Sequence, residues 1–320
     1  MLDTVAWTRG TTDPRPRPFG ISAVLLPCTA AGAIDWEGFA RHVARTAAAG
    51  VVPAVNMDTG SVQLLDRPAR REVVRLAREV VGDGPLVAGA CVVDTAGDAC
   101  DEAAYREEIA AIEAAAAVPV IFPSHGLNAG DETEVIARLR RITAGVPRFI
   151  GFELSPRFVP CGRIFSVSGF ASLLDIPGCV GAKHSSLSRR AERERLALRD
   201  RLRPGFRLFT GNDLAIDMIR AGSDWLLGLS TAAPEAFALR DRWWTAGDDR
   251  ADELDDALQA LGDFAFRDPV PAYKHSLAQM LRLRGWIACD APPAGAPRRP
   301  DSDREILRTI LARIEAAVAQ

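Results

Sequence analysis

The sequence predicts an α/β fold: a (β/α)8 TIM barrel over residues 19–246, followed by a C-terminal helical region over 247–320. Three observations predict it. Eight short apolar runs recur between residues 21 and 229. Each is followed by a longer stretch with apolar residues at helical spacing. The alternation then stops, and the rest of the chain carries the helical pattern alone. Strands that alternate with helices imply right-handed crossovers and a parallel sheet, because a right-twisted strand followed by a helix packs back on its sheet in that hand. Eight repeats in roughly 230 residues match the length at which such a sheet closes on itself, typically about 250.

In chain order the predicted strands are 21–26, 51–55, 86–90, 118–122, 149–154, 179–183, 207–210 and 225–229. The predicted helices are 36–49, 68–81, 101–116, 132–144, 167–174, 190–202, 214–221 and 234–245. Local signals support several boundaries. Asp35 stands where an N-cap carboxylate would open the first helix, and Asp66 with Pro68 just inside opens the second. Gly82-Asp83-Gly84 reads as a turn, and Gly222-Ser223-Asp224 ends the seventh helix before the eighth strand. Beyond residue 245 the pattern predicts helices over 249–266, 270–284 and 302–319, the last two joined by a loop at 291–300 rich in Pro, Gly and Ala. Leu254, Leu258, Leu261, Phe264, Leu277, Met280 and Leu281 would pack on the barrel or on a neighbouring subunit.

The chain has 320 residues, ample for a sizeable core, with 48% apolar and 25% charged residues. A net charge of −3 gives no basic excess for nucleic acid or an anionic membrane surface. The run from Arg189 to Arg195 mixes both signs and reads as a solvated helix face. Six cysteines, at 28, 91, 100, 161, 179 and 289, form no C-x-x-C pair and no zinc-ligand spacing with histidine. They read as reduced core residues. Residues 1–18 form a polar N-terminal arm without the apolar centre of a signal peptide, and no apolar stretch has transmembrane length. These readings predict a cytoplasmic protein without metal or cofactor.

Only two of the 39 basic residues are lysines, Lys183 and Lys274. A chain this biased to arginine has little use for lysine as a surface charge. An amine, unlike a guanidinium, can lose its proton when desolvated and then attack a carbonyl carbon. Lys183 ends the apolar run Cys179-Val180-Gly181-Ala182, at the strand end where barrel active sites lie. Lys274 falls on a predicted tail helix and reads as an ion-pair or interface residue. Trp243, Trp244 and Trp286 read as packing anchors.

The other strand ends carry Asn56-Met57-Asp58-Thr59-Gly60-Ser61, Pro123-Ser124-His125-Gly126, Phe152-Glu153-Leu154-Ser155-Pro156-Arg157, Thr210-Gly211-Asn212-Asp213 and Gly228-Leu229-Ser230. Together with Cys179-Val180-Gly181-Ala182-Lys183-His184-Ser185-Ser186, these segments resemble the dihydrodipicolinate synthase / N-acetylneuraminate lyase family of class I aldolases. The segment Gly20–Pro27 and Pro269-Val270-Pro271-Ala272-Tyr273-Lys274 extend the resemblance over about residues 18–290. It implies that Lys183 forms a Schiff base with a small 2-oxo acid. It implies that Thr59, Gly60, Ser61, Phe152, Gly211, Asn212 and Ser230 line the substrate site. It also implies a homo-oligomer, tetrameric or dimeric. Three departures stand out. The family's proton-shuttling tyrosine on strand five is matched by Phe152, its first loop threonine by Asp58, and the tyrosine supplied by a neighbouring subunit falls near His125. The family's carboxylate-gripping arginine has no clear match, with Arg157 or Arg163 as substitutes.

Asp58 and His125 are therefore the candidate acid/base groups beside the nucleophile Lys183. Asp58 reads equally as a loop carboxylate capping backbone N–H groups, and His125 as an exposed loop residue. Strand alternation turns Glu153 and His184 away from the barrel interior, toward structural roles. The leading expectation is an imine-forming lyase, an aldolase or dehydratase acting on a 2-oxo acid or sugar-acid derivative. The alternative is a barrel that binds a 2-oxo acid as sensor or scaffold without turnover. A metal-dependent aldolase barrel would need two or three His, Asp or Glu ligands at strand ends.

Overall fold

The computed structural model describes residues 7–10 and 15–320; the rest of the 1–18 arm lies outside the described residues. Eight parallel strands close into a barrel in sequence order: β1 (Gly20–Ala23), β2 (Val52–Val55), β3 (Val87–Ala90), β4 (Val118–Ile121), β5 (Phe149–Leu154), β6 (Cys179–Ser185), β7 (Arg207–Thr210) and β8 (Asp224–Leu227). Closure comes from β1 pairing with β8, Ile21 opposite Leu226. The outer layer holds α1 (Trp36–Ala48), α2 (Arg67–Val81), α3 (Glu102–Ala114), α4 (Glu132–Ile142), α5 (Val167–Leu174), α6 (Arg189–Leu202) and α7 (Pro234–Ala246). The caps follow from the residues: Asp35 accepts the Gly38 N–H, and Asp66 accepts the Ala69 N–H with a proline in the first turn.

One helix departs from expectation. Residues 214–221 do not form an α-helix; Ile216–Ala221 is a 3-10 segment. It occupies six of the thirteen residues, 211–223, that join β7 to β8. A 3-10 turn covers about 2.0 Å per residue against about 1.5 Å for an α-helix, so it spans the connection with less chain. Gly222, at φ 102°, ends it in the left-handed region.

The tail forms α8 (Arg250–Ala265), α9 (Tyr273–Leu283) and α10 (Asp303–Val318). Leu254, Leu258, Leu261, Leu277, Met280 and Leu281 are all buried, in one apolar cluster with barrel residues such as Leu25, Ile150 and Leu227. Phe264 is only partly buried, under the Arg267 guanidinium. The tail thus completes the barrel's own core. A second cluster fills the space between the strands and α1–α6.

Between β5, β6 and α6 the outer layer holds a buried cluster of Glu153, His184 and Arg195. The Glu153 carboxylate accepts from His184 Nδ1 at 2.6 Å, from Arg195 at 2.9 Å and from the Phe165 N–H at 2.9 Å. Burial alone would raise the Glu153 pKa, but His184 and Arg195 outweigh it and hold the group below its ordinary 4.5. The ionised Glu153 carboxylate therefore supports the fold at neutral pH, and that support is lost as pH falls through its folded value. Arg195→Met leaves the carboxylate short of its cation and should destabilise by about 3–5 kcal/mol, read from denaturant midpoints. An unchanged midpoint would show the cluster to be energetically neutral.

Candidate active site

β6 places the candidate amine. Its register sets Lys183 opposite Phe152 on the inner face, and Glu153 opposite His184 on the outer face, as alternation requires. Lys183 is 6% exposed, with Nζ 4.9 Å from the centre of the Phe152 ring. The ring edge in turn meets Phe122, 5.6 Å between centres. An ammonium against apolar rings loses hydration, and burial lowers the Lys183 pKa to about 8, partly offset by the Asp213 and Asp58 carboxylates. At pH 7 about a tenth of such an amine is neutral, against a few parts in ten thousand for an ordinary lysine. Asp213 follows β7 and is buried with its Oδ1 accepting the Leu229 N–H at 2.7 Å. Burial raises its pKa to about 7, against the opposing field of Lys183.

Gly211 leaves room for the lysine chain. A Cβ there would stand 2.1 Å from Ser185 Oγ and 2.7 Å from Lys183 Cε. Ser185 Oγ is buried without a hydrogen-bond partner. It is a vacant hydroxyl two residues along the strand from Lys183.

The loop after β2 forms a 3-10 turn, Asp58–Gly60, and supplies the second carboxylate. Asp58 is buried and accepts three hydrogen bonds: Tyr273 OH at 2.9 Å, Lys274 Nζ at 2.8 Å and Gln63 Nε2 at 3.1 Å. Thr59 Oγ1 lies 3.0 Å from the same Tyr273 oxygen. Both lysines of the chain therefore interact with Asp58, Lys183 through its field and Lys274 by direct contact. Thr59, Ser61 and Lys274 also border a cavity of about 20 Å³ beneath the proline-rich tail loop, with Pro292 and Pro293 on its far side.

The remaining expected site residues are placed as follows. The N–H groups of Gly60 and Ser61 donate inside the turn, to the Met57 and Asp58 carbonyls. Asn212 uses its Oδ1 on the Leu214 N–H. Ser230 donates to the Leu227 carbonyl and lies 2.8 Å from Ser22 Oγ. The turn holding His125 is pinned by Asp94, which accepts the His125 and Gly126 N–H groups. Among the described residues no hydrogen bond or ion pair joins the His125 ring to Lys183 or Asp58. Arg157 is exposed and paired with Asp268, and Arg163 holds the Asn128 and Gly130 carbonyls. Each guanidinium is thus engaged by a loop partner.

Three site residues carried no role in the sequence reading: Asp213, Ser185 and Tyr273; Lys274 forms an ion pair, as expected, with Asp58. All lie in segments that carry the family resemblance, and Tyr273 is one of only two tyrosines. That scarcity was a usable signal. Among the described residues no group of three or more His, Cys, Asp or Glu is placed to hold a metal ion, and no helix is long and apolar enough to cross a membrane.

No protein-family model matches the chain, and no curated protein matches it in sequence. Solved structures share its fold. YagE, a prophage protein from E. coli K12 belonging to the dihydrodipicolinic acid synthase family and solved in complex with pyruvate, is 18% identical. The match covers 93% of this chain and 98% of that one at a TM-score of 0.80. Dihydrodipicolinate synthase from Agrobacterium tumefaciens is 22% identical over 94% of this chain and 100% of that one, at 0.78. The chloride-inhibited dihydrodipicolinate synthase from Acinetobacter baumannii, complexed with pyruvate, is 19% identical over 93% and 99%, at 0.77. The chain thus has the (β/α)8 architecture of dihydrodipicolinate synthase structures.

Proposed function

We propose that the chain is a divergent dihydrodipicolinate synthase-type lyase, one that forms an imine between Lys183 and a small 2-oxo acid. The observation that carries this reading is the desolvated amine at the end of β6, with its pKa lowered to about 8. The neutral amine attacks the ketone carbon, and the carbinolamine loses water to leave an iminium cation. That cation draws electrons from the adjacent carbon, which eases cleavage or formation of a C–C bond, or loss of water. The Asp213 and Asp58 carboxylates stabilise the positive charge as it forms. Phe152 supplies no proton, so proton transfer falls to other groups, and the product is not assigned to lysine synthesis.

Incubation with a panel of 2-oxo acids, reduction with borohydride and mass mapping of the peptides tests the reading. An adduct on Lys183 is expected; its absence with every member of the panel would overturn it. Turnover of a trapped compound separates a lyase from a binder.

The pH dependence follows with a definite sign. Only the unprotonated amine attacks, so the rate of imine formation rises with pH through a midpoint near 8. The Asp213 carboxyl, pushed up to about 7 beside the same amine, titrates with it as a coupled pair and broadens the rise. A rate that climbs only above about 10, the ordinary lysine range, would contradict the assignment.

A further inference from the structure

The hydroxyl groups gathered on Asp58, whose charge acts on the Lys183 amine, have a fixed direction. A phenol carries one hydrogen, and that of Tyr273 goes to Asp58 Oδ2 at 2.9 Å. The 3.0 Å contact between Thr59 Oγ1 and the Tyr273 oxygen must then be donated by Thr59. Thr59 thereby turns only lone pairs outward. Burial and the Asp58 charge raise the Tyr273 pKa well above its ordinary value, so the phenol stays an O–H donor. Lys274 and Gln63 saturate the other oxygen of Asp58. Gly228 closes the chain from the β8 side: a Cβ there would stand 2.8 Å from Thr59 Oγ1 and 3.1 Å from the Tyr273 ring. The next residue, Leu229, donates to Asp213, whose charge acts on Lys183.

We propose that Thr59, Tyr273 and Asp58 form a proton relay serving the Lys183 imine, with Lys274 as the positioning residue that holds Asp58. The proposal rests on the imine reading above. It assigns acid/base work to α9 of the same chain, in place of a strand-five tyrosine or a residue from a second subunit. When the C–H bond next to the iminium carbon breaks, its electron pair moves toward the nitrogen and forms an enamine. The released proton passes to Thr59 Oγ1, the Thr59 proton to the Tyr273 oxygen, and the Tyr273 proton to Asp58, which ends as a carboxylic acid. Reversal of the same transfers returns the proton. No oxidant, metal or other reactant enters the balance.

The test uses the full chain and pyruvate in deuterated water. Two signals are read: borohydride-trapped adduct on Lys183, which needs only the amine, and loss of methyl protons from pyruvate by NMR, which needs the relay. In Tyr273→Phe the ring keeps its stack on Phe266, 4.2 Å between centres, so packing is preserved. Thr59→Val breaks the relay at its other end. Both variants should retain the adduct and lose methyl exchange by at least about a hundredfold, the usual worth of a positioned acid/base. Exchange within threefold of the parent, with the adduct intact in both, would overturn the relay. An adduct absent from the parent protein itself would instead overturn the imine reading on which the relay depends.

Discussion

Replacing Lys183 with arginine abolishes the borohydride-trapped adduct and lowers turnover by at least about a thousandfold, or about 4 kcal/mol of barrier. The substitution keeps a long cationic side chain at the same strand end. It removes the one property the chemistry needs, since a guanidinium cannot lose a proton in a protein. Its longer, planar head also has to fit between the Phe152 ring and Gly211, where the lysine chain already runs close to the backbone. Lys274→Arg is the informative control. It preserves charge toward Asp58, and it should leave the adduct on Lys183 in place. If Lys183→Arg formed adduct as fast as the parent, the nucleophile would lie elsewhere.

Gly211→Ala should slow imine formation by about a hundredfold while leaving the barrel folded. The added methyl would stand 2.1 Å from Ser185 Oγ and 2.7 Å from Lys183 Cε, closer than nonbonded atoms approach. Of the two neighbours, the lysine chain is the flexible one, so it moves and takes the amine with it. A displacement near 1 Å at a reacting atom is enough for a loss on the order of a hundredfold. Trapping rates with one 2-oxo acid, measured beside the thermal midpoint, distinguish this from unfolding. Unchanged trapping in a well-folded variant would mean that the amine does not need its present path along Gly211.

The fold was legible because buried parallel strands are short, apolar and regularly spaced. All eight predicted strands occur, β5 with its expected bounds. The segment at 214–221 misled because its apolar spacing suits either helix type, and the distance to be spanned decides between them. In the site, Lys183 stood out by the scarcity of lysine, and strand alternation placed Phe152, Glu153 and His184 on their faces. Tyr273 was not legible as a partner of Asp58, because 215 residues separate them and only the packing of α9 over the barrel joins them. Lys274 could be read as half of an ion pair, but its other half depended on the same packing. Arg157 and Arg163 had the right chemistry for a carboxylate, and the Asp268 carboxylate and the carbonyls of the 128–130 turn claimed them first.

The central claim is that one amine is shielded from water and ready to lose its proton. The scarcity of lysine makes it directly measurable: with 15N-labelled lysine the protein has two side-chain amine signals to follow against pH. The signal that disappears in Lys183→Arg should titrate near 8. If that same signal titrated near 10.5, the ordinary value, Lys183 would be a hydrated surface charge and the imine chemistry would lose its source.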